Sequence, residues 1–386
     1  MSRVLLVDTN VSSAPIHDWL VCAGHEVFVC GGNPDDFLAR ISPNYLATNY
    51  SDLAAMRELL EKHGFDYLVP GCNDRSYSVC AALNKDGRFP GLDAQDVAET
   101  INHKQLFREF ARRTDLPVPK LVAADATPEA WPLIVKPVDA FSGRGVTVLL
   151  EAEKAGLTAA IKLAEGYSST RSCVVEEYVE GQLYSHSAFI SSGNVQVDFI
   201  VEEHGSANPF VVDTSRVVAN FPLLLLERLR ECVGAMAEQL GLVDGLVHTQ
   251  FIRNGDALWL IEVTRRCPGD LYSQLIESAT DYRYVEAYVR PFLGLAGIPS
   301  LSDSEPVRMM RHTVSLPAEN TLGSLRFSMP LQIERLVPMS RAGDSIKASP
   351  FGRIALLFAR AASDEEFSEL FTATLERRLY HIDSRY

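Results

Sequence analysis

Leu133-Ile-Val-Lys-Pro-Val-Asp-Ala-Phe-Ser-Gly-Arg-Gly-Val146 is the stretch on which the reading of this chain turns. Its apolar opening, Leu133 to Val135, has the pattern of a strand buried on both faces. Lys136 stands at the strand's end, Pro137 stops it, and a small glycine-bearing loop follows: Ser142, Gly143, Arg144, Gly145. Val146 to Leu150 begins a second strand. The stretch predicts a hairpin-like unit with a lysine at its root and a pliable loop at its tip. Glycine lets backbone N–H groups come close to a ligand, and successive N–H groups form an anion-binding nest. Lysine is a compact point charge suited to phosphate. Taken alone, the stretch fits a triphosphate held between Lys136 and the 142–145 loop, or an ordinary hairpin with a solvated lysine.

Upstream, residues 1–100 alternate strands and helices: Val4–Val7, a helix around Ile16–Ala23, His25–Cys30, a helix over Leu53–Lys62 and a strand at Tyr67–Val69. That alternation predicts a doubly wound parallel sheet. The dinucleotide fingerprint G-x-G-x-x-G is missing after the first strand, where Asp8-Thr-Asn-Val stands, so a dehydrogenase is disfavoured. Ligands of such sheets lie at the carboxyl ends of strands, where Asp8, Asn10, Asn73, Asp74 and Arg75 fall; most residues so placed are ordinary loop polar groups. Residues 101–114 predict an amphipathic helix with Leu106, Phe107, Phe110 and Ala111 on one face and Lys104 in the first turn. A lysine there opposes the helix dipole, which points to an anion nearby.

Downstream, residues 154–166 read as a helix, and Cys173-Val-Val-Glu-Glu-Tyr-Val-Glu-Gly181 as a strand running into a hinge. Backbone at such a hinge can pair with an adenine edge, and Glu176 can accept from its exocyclic amine. His248 to Arg266 reads as a hairpin turning at Asn254-Gly255-Asp256. Alternation brings Gln250, Glu262 and Thr264 towards one face. A carboxylate with neutral oxygens suits Mg²⁺, which takes the rest of its shell from water and phosphate. Arg265 and Arg266 would add positive charge beside a transferring phosphoryl group. His248 reads as a structural histidine at a strand end. Residues 300–386 carry three further strands and a helix from Phe367, with a capping box at Ser363. No chemistry is legible there, and this module either covers the core or makes a dimer contact.

The totals bound these readings. The chain has 386 residues, too many for one core, and a net charge of −14. It offers no basic footprint for nucleic acid and none for an anionic membrane surface. Seven dispersed cysteines with no C-x-x-C argue against a zinc site or a disulfide framework and for a reduced, cytoplasmic setting.

Each motif is weak alone, but their order resembles the ATP-grasp superfamily over about residues 100–295. The elements are Lys104, the Lys-Pro strand with its Ser-Gly-Arg-Gly loop, Glu-Glu-Tyr-Val-Glu-Gly, and the hairpin ending Ile-Glu-Val-Thr-Arg-Arg-Cys-Pro-Gly-Asp270. The resemblance implies a mixed α/β and α+β architecture. A Rossmann-like domain (1–100) precedes an ATP-grasp core (101–295, with a lid at about 115–174), and a C-terminal α+β domain (296–386) follows. It implies that Lys104 and Lys136 bind phosphate, that Ser142, Gly143, Arg144 and Gly145 form a mobile loop over it, and that Glu176, Tyr178 and Val179 hold adenine. Gln250, Glu262 and Thr264 would hold Mg²⁺, Arg266 would steady an acyl phosphate, and Arg265, Gly269 and Arg216 would meet the substrate. Three positions depart from the usual pattern: Gln250 where Glu is common, Thr264 where Asn is common, and Leu183 where a ribose-binding Glu is common. The run from Glu262 to Asp270 is similar to that of ligases that make dipeptides. The implied activity is ATP-dependent joining of a small carboxylate to an amine, with ADP and phosphate released. Alternatives are an ATP-binding module without turnover and a ligase with a thiol or another nitrogen acceptor.

Overall fold

The apolar run at the N-terminus becomes the centre of a parallel sheet. In the computed structural model, which describes residues 1–123, 131–140, 143–150, 154–302 and 305–384, Leu5, Leu6 and Val7 are fully buried. Strands β1 (Arg3–Val7), β2 (Glu26–Gly31), β3 (Tyr45–Ala47) and β4 (Tyr67–Pro70) lie in the order β3-β2-β1-β4, all parallel. Helices α1 (Ala14–Cys22), α2 (Phe37–Ile41), α3 (Leu53–His63), α4 (Asp74–Leu83) and α5 (Gln95–Asn102) connect and follow them. Asp52 caps α3 by accepting from the amides of Ala54 and Ala55, and Gly64 ends it in the left-handed conformation at φ 62°.

Most polar residues at the strand ends serve the loops themselves. Asp8 is buried and accepts from the backbone amides of Thr9, Asn10 and Cys72 and from the Ser13 hydroxyl, tying the loop after β1 to the loop after β4. Asn10 accepts from the Ser12 amide, Asn73 caps α4, and Arg75 donates to the Ser51 hydroxyl. Asp74 alone of this group reaches the site described below.

Helix α6 (Lys104–Arg113) leads to a small antiparallel sheet. Its strands, in order, are β5 (Leu121–Val122), β8 (Cys173–Glu177), β6 (Leu133–Pro137) and β7 (Thr147–Leu149), with β6 and β7 forming the hairpin expected from the 133–150 pattern. Helix α7 (Lys154–Tyr167) packs Leu157, Ala160 and Ala164 on Leu133, Val135 and Val175. In α6, Phe107, Phe110 and Ala111 face the core, but Leu106 turns outward and is exposed, contrary to the predicted face.

The third sheet is the scaffold of the site. Strands β9 (Gln182–Ser191), β10 (Asn194–His204), β11 (Thr214–Val217), β12 (Gly245–Asn254), β13 (Ala257–Thr264) and β14 (Met309–Val314) form it with Gln332–Pro338 and Ala355–Arg360. Its eight strands run in the order β13, β12, β9, β10, β11, β14, then 355–360 and 332–338, every pairing antiparallel. The strands expected in the last module are thus hydrogen-bonded into the same sheet as the 248–266 hairpin. One face packs against α6 and α8 (Leu223–Leu240) through Phe107, Ile190, Val247, Phe251, Leu229 and Met236. The other carries α9 (Tyr272–Thr280) and α10 (Tyr284–Val289), whose Tyr272, Leu275 and Tyr284 share a core with the first sheet. Among the described residues no helix is long and apolar enough to cross a membrane.

Candidate active site

Helix α6 positions two cations with one turn of spacing. Residues four apart stand on one face of a helix, and Lys104 and Arg108 use this to reach two different sheets. Lys104 is the first residue of α6, after the capping His103. Its ammonium donates to Glu262 Oε1 at 3.0 Å and to the Ala140 carbonyl at 3.1 Å. The anion implied by a lysine at a helix N-terminus is, in the protein itself, Glu262.

Arg108, 1% exposed, places Nε 2.7 Å from Glu176 Oε1, while Lys136 Nζ lies 2.5 Å from Glu176 Oε2. Arg108 also donates to the Ile261 carbonyl at 2.8 Å. Glu176 is wholly buried. Burial opposes its charge, but Lys136 and Arg108 hold its carboxyl below the usual range. This corrects the expectation that Glu176 offers its carboxylate to an adenine: it is the internal counter-ion of two cations. Arg108 was missed in the sequence. Its spacing of four from Lys104 was the available signal, hidden because it sits among the core residues Phe107, Phe110 and Ala111. At the hinge after β8, the Glu177 amide donates to the Lys120 carbonyl and the Tyr178 amide to the Pro132 carbonyl, at 3.0 and 2.9 Å. Val179 follows them in the chain, beyond the end of β8.

The hairpin β12–β13 places Gln250 directly opposite Glu262, and His248 opposite Thr264. The register shifts between Gln250 and Phe251, leaving Ile261 as the extra residue of a bulge. Residues two apart in a regular strand share a face. Leu260 and Glu262 do not behave so: Leu260 enters the apolar core with Phe251, while Glu262 meets Lys104. The bulge accounts for this, since it re-aims the chain and leaves one carbonyl outside the ladder. That carbonyl, of Ile261, is the one Arg108 takes.

Thr264 and Arg266 both bind Asp74, in the first turn of α4. The Thr264 hydroxyl donates to Asp74 Oδ1 at 2.9 Å, and Arg266 donates through Nε and a terminal nitrogen at 2.9 and 3.1 Å. Burial opposes the Asp74 charge, yet Arg266 holds its carboxyl below the ordinary range. His248 is buried and accepts from or donates to the Ser187 hydroxyl at 2.8 Å. Burial first, then Arg266, lowers its pKa to about 3, so the ring is neutral, in line with a structural role.

Two expected substrate contacts are elsewhere. Arg265 is 3% exposed and donates to Asp93 Oδ2 at 2.8 Å, and to the carbonyls of Leu246 and Val243. It is a strut between the segment after α4 and the central sheet, reaching Asp93 from the bend that follows β13. Arg216 pairs with Glu202 at 2.7 Å and lies over the Phe371 ring. It stands opposite Glu202 in the ladder, on the sheet face away from Glu203 and Gln250. At Gly269 an added Cβ would stand 3.8 Å from the Cys72 carbonyl, in the loop that leads from β4 to Asp74.

The last module, read as chemically silent, supplies two arginines. Arg311 of β14 is buried, donates to the Ser215 hydroxyl at 2.8 Å and lies 3.6 Å from Asp270; Arg353 binds the other Asp270 oxygen. Neither sits in a legible motif, and only the shared sheet brings them beside the 267–270 turn. In the loop before β7, Gly143 has φ 65°, and a Cβ there would stand 2.6 Å from the Phe210 carbonyl. Arg144 stacks on the Phe351 ring at 5.1 Å. Gly145 continues the same turn at φ 70°, and Ser142 lies outside the described residues.

The result is a cleft in which Lys104, Arg108, Lys136 and Arg266 meet Asp74, Glu176 and Glu262. Each of these cations is already paired with a carboxylate of the protein, and a further buried carboxylate, Glu203, stands against Gln250.

Residues 129–274 match the ATP-grasp domain family. Among curated sequences, the chain is 24% identical over 291 residues to the phosphoribosylamine--glycine ligase of Pyrococcus furiosus, covering 69% of this chain and 66% of that one. It spans between about a third and two thirds of the length of the curated relatives it matches first. The L-amino acid ligase of Bacillus licheniformis superposes with a TM-score of 0.80 at 18% identity, over 100% of this chain and 99% of that one. The biotin carboxylase domain of the Hydrogenobacter thermophilus 2-oxoglutarate carboxylase, solved with MgADP, gives 0.75 at 15% identity, over 99% and 90%. At these identities the structural likeness establishes the fold.

Proposed function

The chain belongs to the ATP-grasp superfamily, and on that premise we propose that it joins a small carboxylic acid, an amino acid or a related acid, to an amine at the expense of ATP. The observation that carries this is the convergence of Lys104, Arg108, Lys136 and Arg266 with Glu262 from three separate segments. A carboxylate is a poor electrophile, and phosphorylating it supplies a leaving group. Transfer of the γ-phosphoryl group needs positioning and charge neutralisation more than covalent help. In our reading Lys104 and Lys136 hold the phosphates, with Arg108 keeping Glu176 and Lys136 in place from behind. Tyr178 and Val179 flank the adenine, the backbone of Gly143 to Gly145 covers the phosphates, and Arg266 steadies the acyl phosphate. Loop closure keeps water from the activated acid.

The residues also fit a magnesium ion. Gln250 and Glu262, opposite each other, give one carboxylate and one neutral oxygen, with the Thr264 hydroxyl two residues on. That set suits a cation that keeps waters and takes further oxygens from phosphate. Bound there, Mg²⁺ would neutralise charge on the β- and γ-phosphates. In our reading Arg311 and Arg353, both paired with Asp270, would meet the acid. In this division of labour residues 1–100 close one side, 101–295 bind the nucleotide, and 296–386 contribute to the acid pocket.

The test is ATP-dependent phosphate release with Mg²⁺ against pairs of amino acids and small acids, with the nucleotide product identified. ADP and phosphate formed only with a particular acid and amine is the expected result. AMP and pyrophosphate would overturn the acyl-phosphate route, and tight ATP binding without turnover on any pair would favour a non-catalytic module.

A further inference from the structure

Gln250 carries an ambiguity that a glutamate at the same position would not. A carboxylate presents oxygen at both ends, whereas a carboxamide presents a carbonyl oxygen at one end and an NH₂ at the other. Only the oxygen can face a cation. Something must therefore fix which way the amide points, and the neighbouring strands supply it.

Gln250 Nε2 donates to Glu203 Oε2 at 2.7 Å. Glu203 is 4% exposed, and its other oxygen accepts from the Ser185 hydroxyl at 2.9 Å. Ser185 is in turn 2.8 Å from the Tyr272 hydroxyl. The register explains the reach: Ser185 lies opposite both Gln250 and Val201, so Gln250, Ser185, Val201 and Glu203 share one sheet face. With Glu203 ionised, the contact favours this orientation of the amide. Turned the other way, Gln250 would set a carbonyl oxygen against a carboxylate oxygen at hydrogen-bond distance, and two acceptors repel there.

We propose that Glu203 is a positioning residue for the magnesium site: it holds the NH₂ end of Gln250 so that the carbonyl end is left for the cation. This rests on the ATP-grasp reading above. It also explains how an amide can stand where a carboxylate is common. Glu203 and Gln250 together keep the carboxylate, with its position and the amide's exchanged between the cation's neighbour and the group behind it. Ser185 and Tyr272 keep Glu203 in the rotamer that reaches Gln250. Groups behind a metal ligand typically matter tenfold to a hundredfold in metal affinity.

The experiment is Mn²⁺ binding by electron paramagnetic resonance, in the presence of a non-hydrolysable ATP analogue, on the full-length protein. Glu203→Gln should weaken Mn²⁺ binding about tenfold or more while leaving binding of the metal-free analogue unchanged, because a second amide can meet either end of Gln250. Gln250→Glu alone sets two carboxylates against each other and should also bind poorly. The double variant Glu203→Gln with Gln250→Glu restores one donor and one acceptor, exchanged, and should recover wild-type binding or better. Wild-type affinity in Glu203→Gln overturns the proposal. Should that variant not fold, the double variant decides: a folded double that binds no better than Gln250→Glu alone overturns it equally. A wild-type protein that binds the analogue but no Mn²⁺ would instead overturn the magnesium reading on which this one stands.

Discussion

At the scale of single residues, the cleft is governed by charges paired before any ligand arrives. Glu176 shows the logic most plainly. Buried between Arg108 and Lys136, it supplies the counter-charge for two cations that burial would otherwise leave unpaired. Removing one partner of a buried pair typically costs about 3–5 kcal/mol, because the remaining charge is stranded. Glu176→Ala strands two cations and should lose about that much stability in urea unfolding. Lys136→Ala leaves Glu176 with Arg108, so it should unfold less readily than Glu176→Ala while losing ligase turnover about a hundredfold or more, a magnitude typical for a charge aimed at a reacting group. Equal destabilisation by both variants, or near-normal turnover in Lys136→Ala, would count against these roles. The same logic explains what sequence reading missed. Lys136 announced itself by standing next to a proline and a glycine-bearing loop. Arg108 sits beside Phe107 in a helix with no proline, glycine loop or other motif to mark it.

At the scale of elements, two irregularities do the positioning. The bulge at Ile261 turns Glu262 into the cleft while Leu260 stays in the core, and it frees a carbonyl for Arg108. Alternation alone predicted that Gln250 and Glu262 would come together, and they do. It could not predict the bulge, which depends on what each side chain meets across the sheet. The turn at Gly143 is the second. Its φ of 65° and its approach to the Phe210 carbonyl leave no room for a side chain. A non-glycine residue in the left-handed region costs roughly 1–2 kcal/mol even in open space. Gly143→Ala should therefore hold the loop away from residues 205–213, raising the KM for ATP several-fold and increasing ATP hydrolysis relative to ligation. Steady-state assays of phosphate release against product formed would show it; an unchanged ratio and KM would argue that this loop does not close over the phosphates.

At the scale of the whole molecule, the cleft exists because three sheets are tied together through a few buried polar links. Arg265 to Asp93 and Arg266 to Asp74 both join the first hundred residues to the central sheet, yet they differ in kind. Arg265 is sealed and bonded at every end the fold offers, with Asp93 also accepting from Tyr77. Arg266 is partly open towards the cleft. Arg265→Ala should lose about 3–5 kcal/mol of stability with little change in KM for acid or amine in the folded fraction. A large KM change at unaltered stability would return Arg265 to the substrate site, where the sequence had placed it.

Sequence by itself determined the local order of this protein: the parallel β-α run at the start, the hairpin at Leu133, the hairpin at His248, and the succession of lysine, glycine loop, hinge and acidic strand. Periodicity and turn chemistry act between near neighbours, and these features need nothing more. Tertiary structure alone decided which charges meet. Glu176 with Arg108, Asp74 with Arg266, Glu203 with Gln250 and Arg311 beside Asp270 join residues from 41 to 192 positions apart, and nothing in their local sequence favours one partner over another. Desolvation makes the choice. A charge carried into the interior must find its counter-charge there, and only the packed sheets determine which one is within reach.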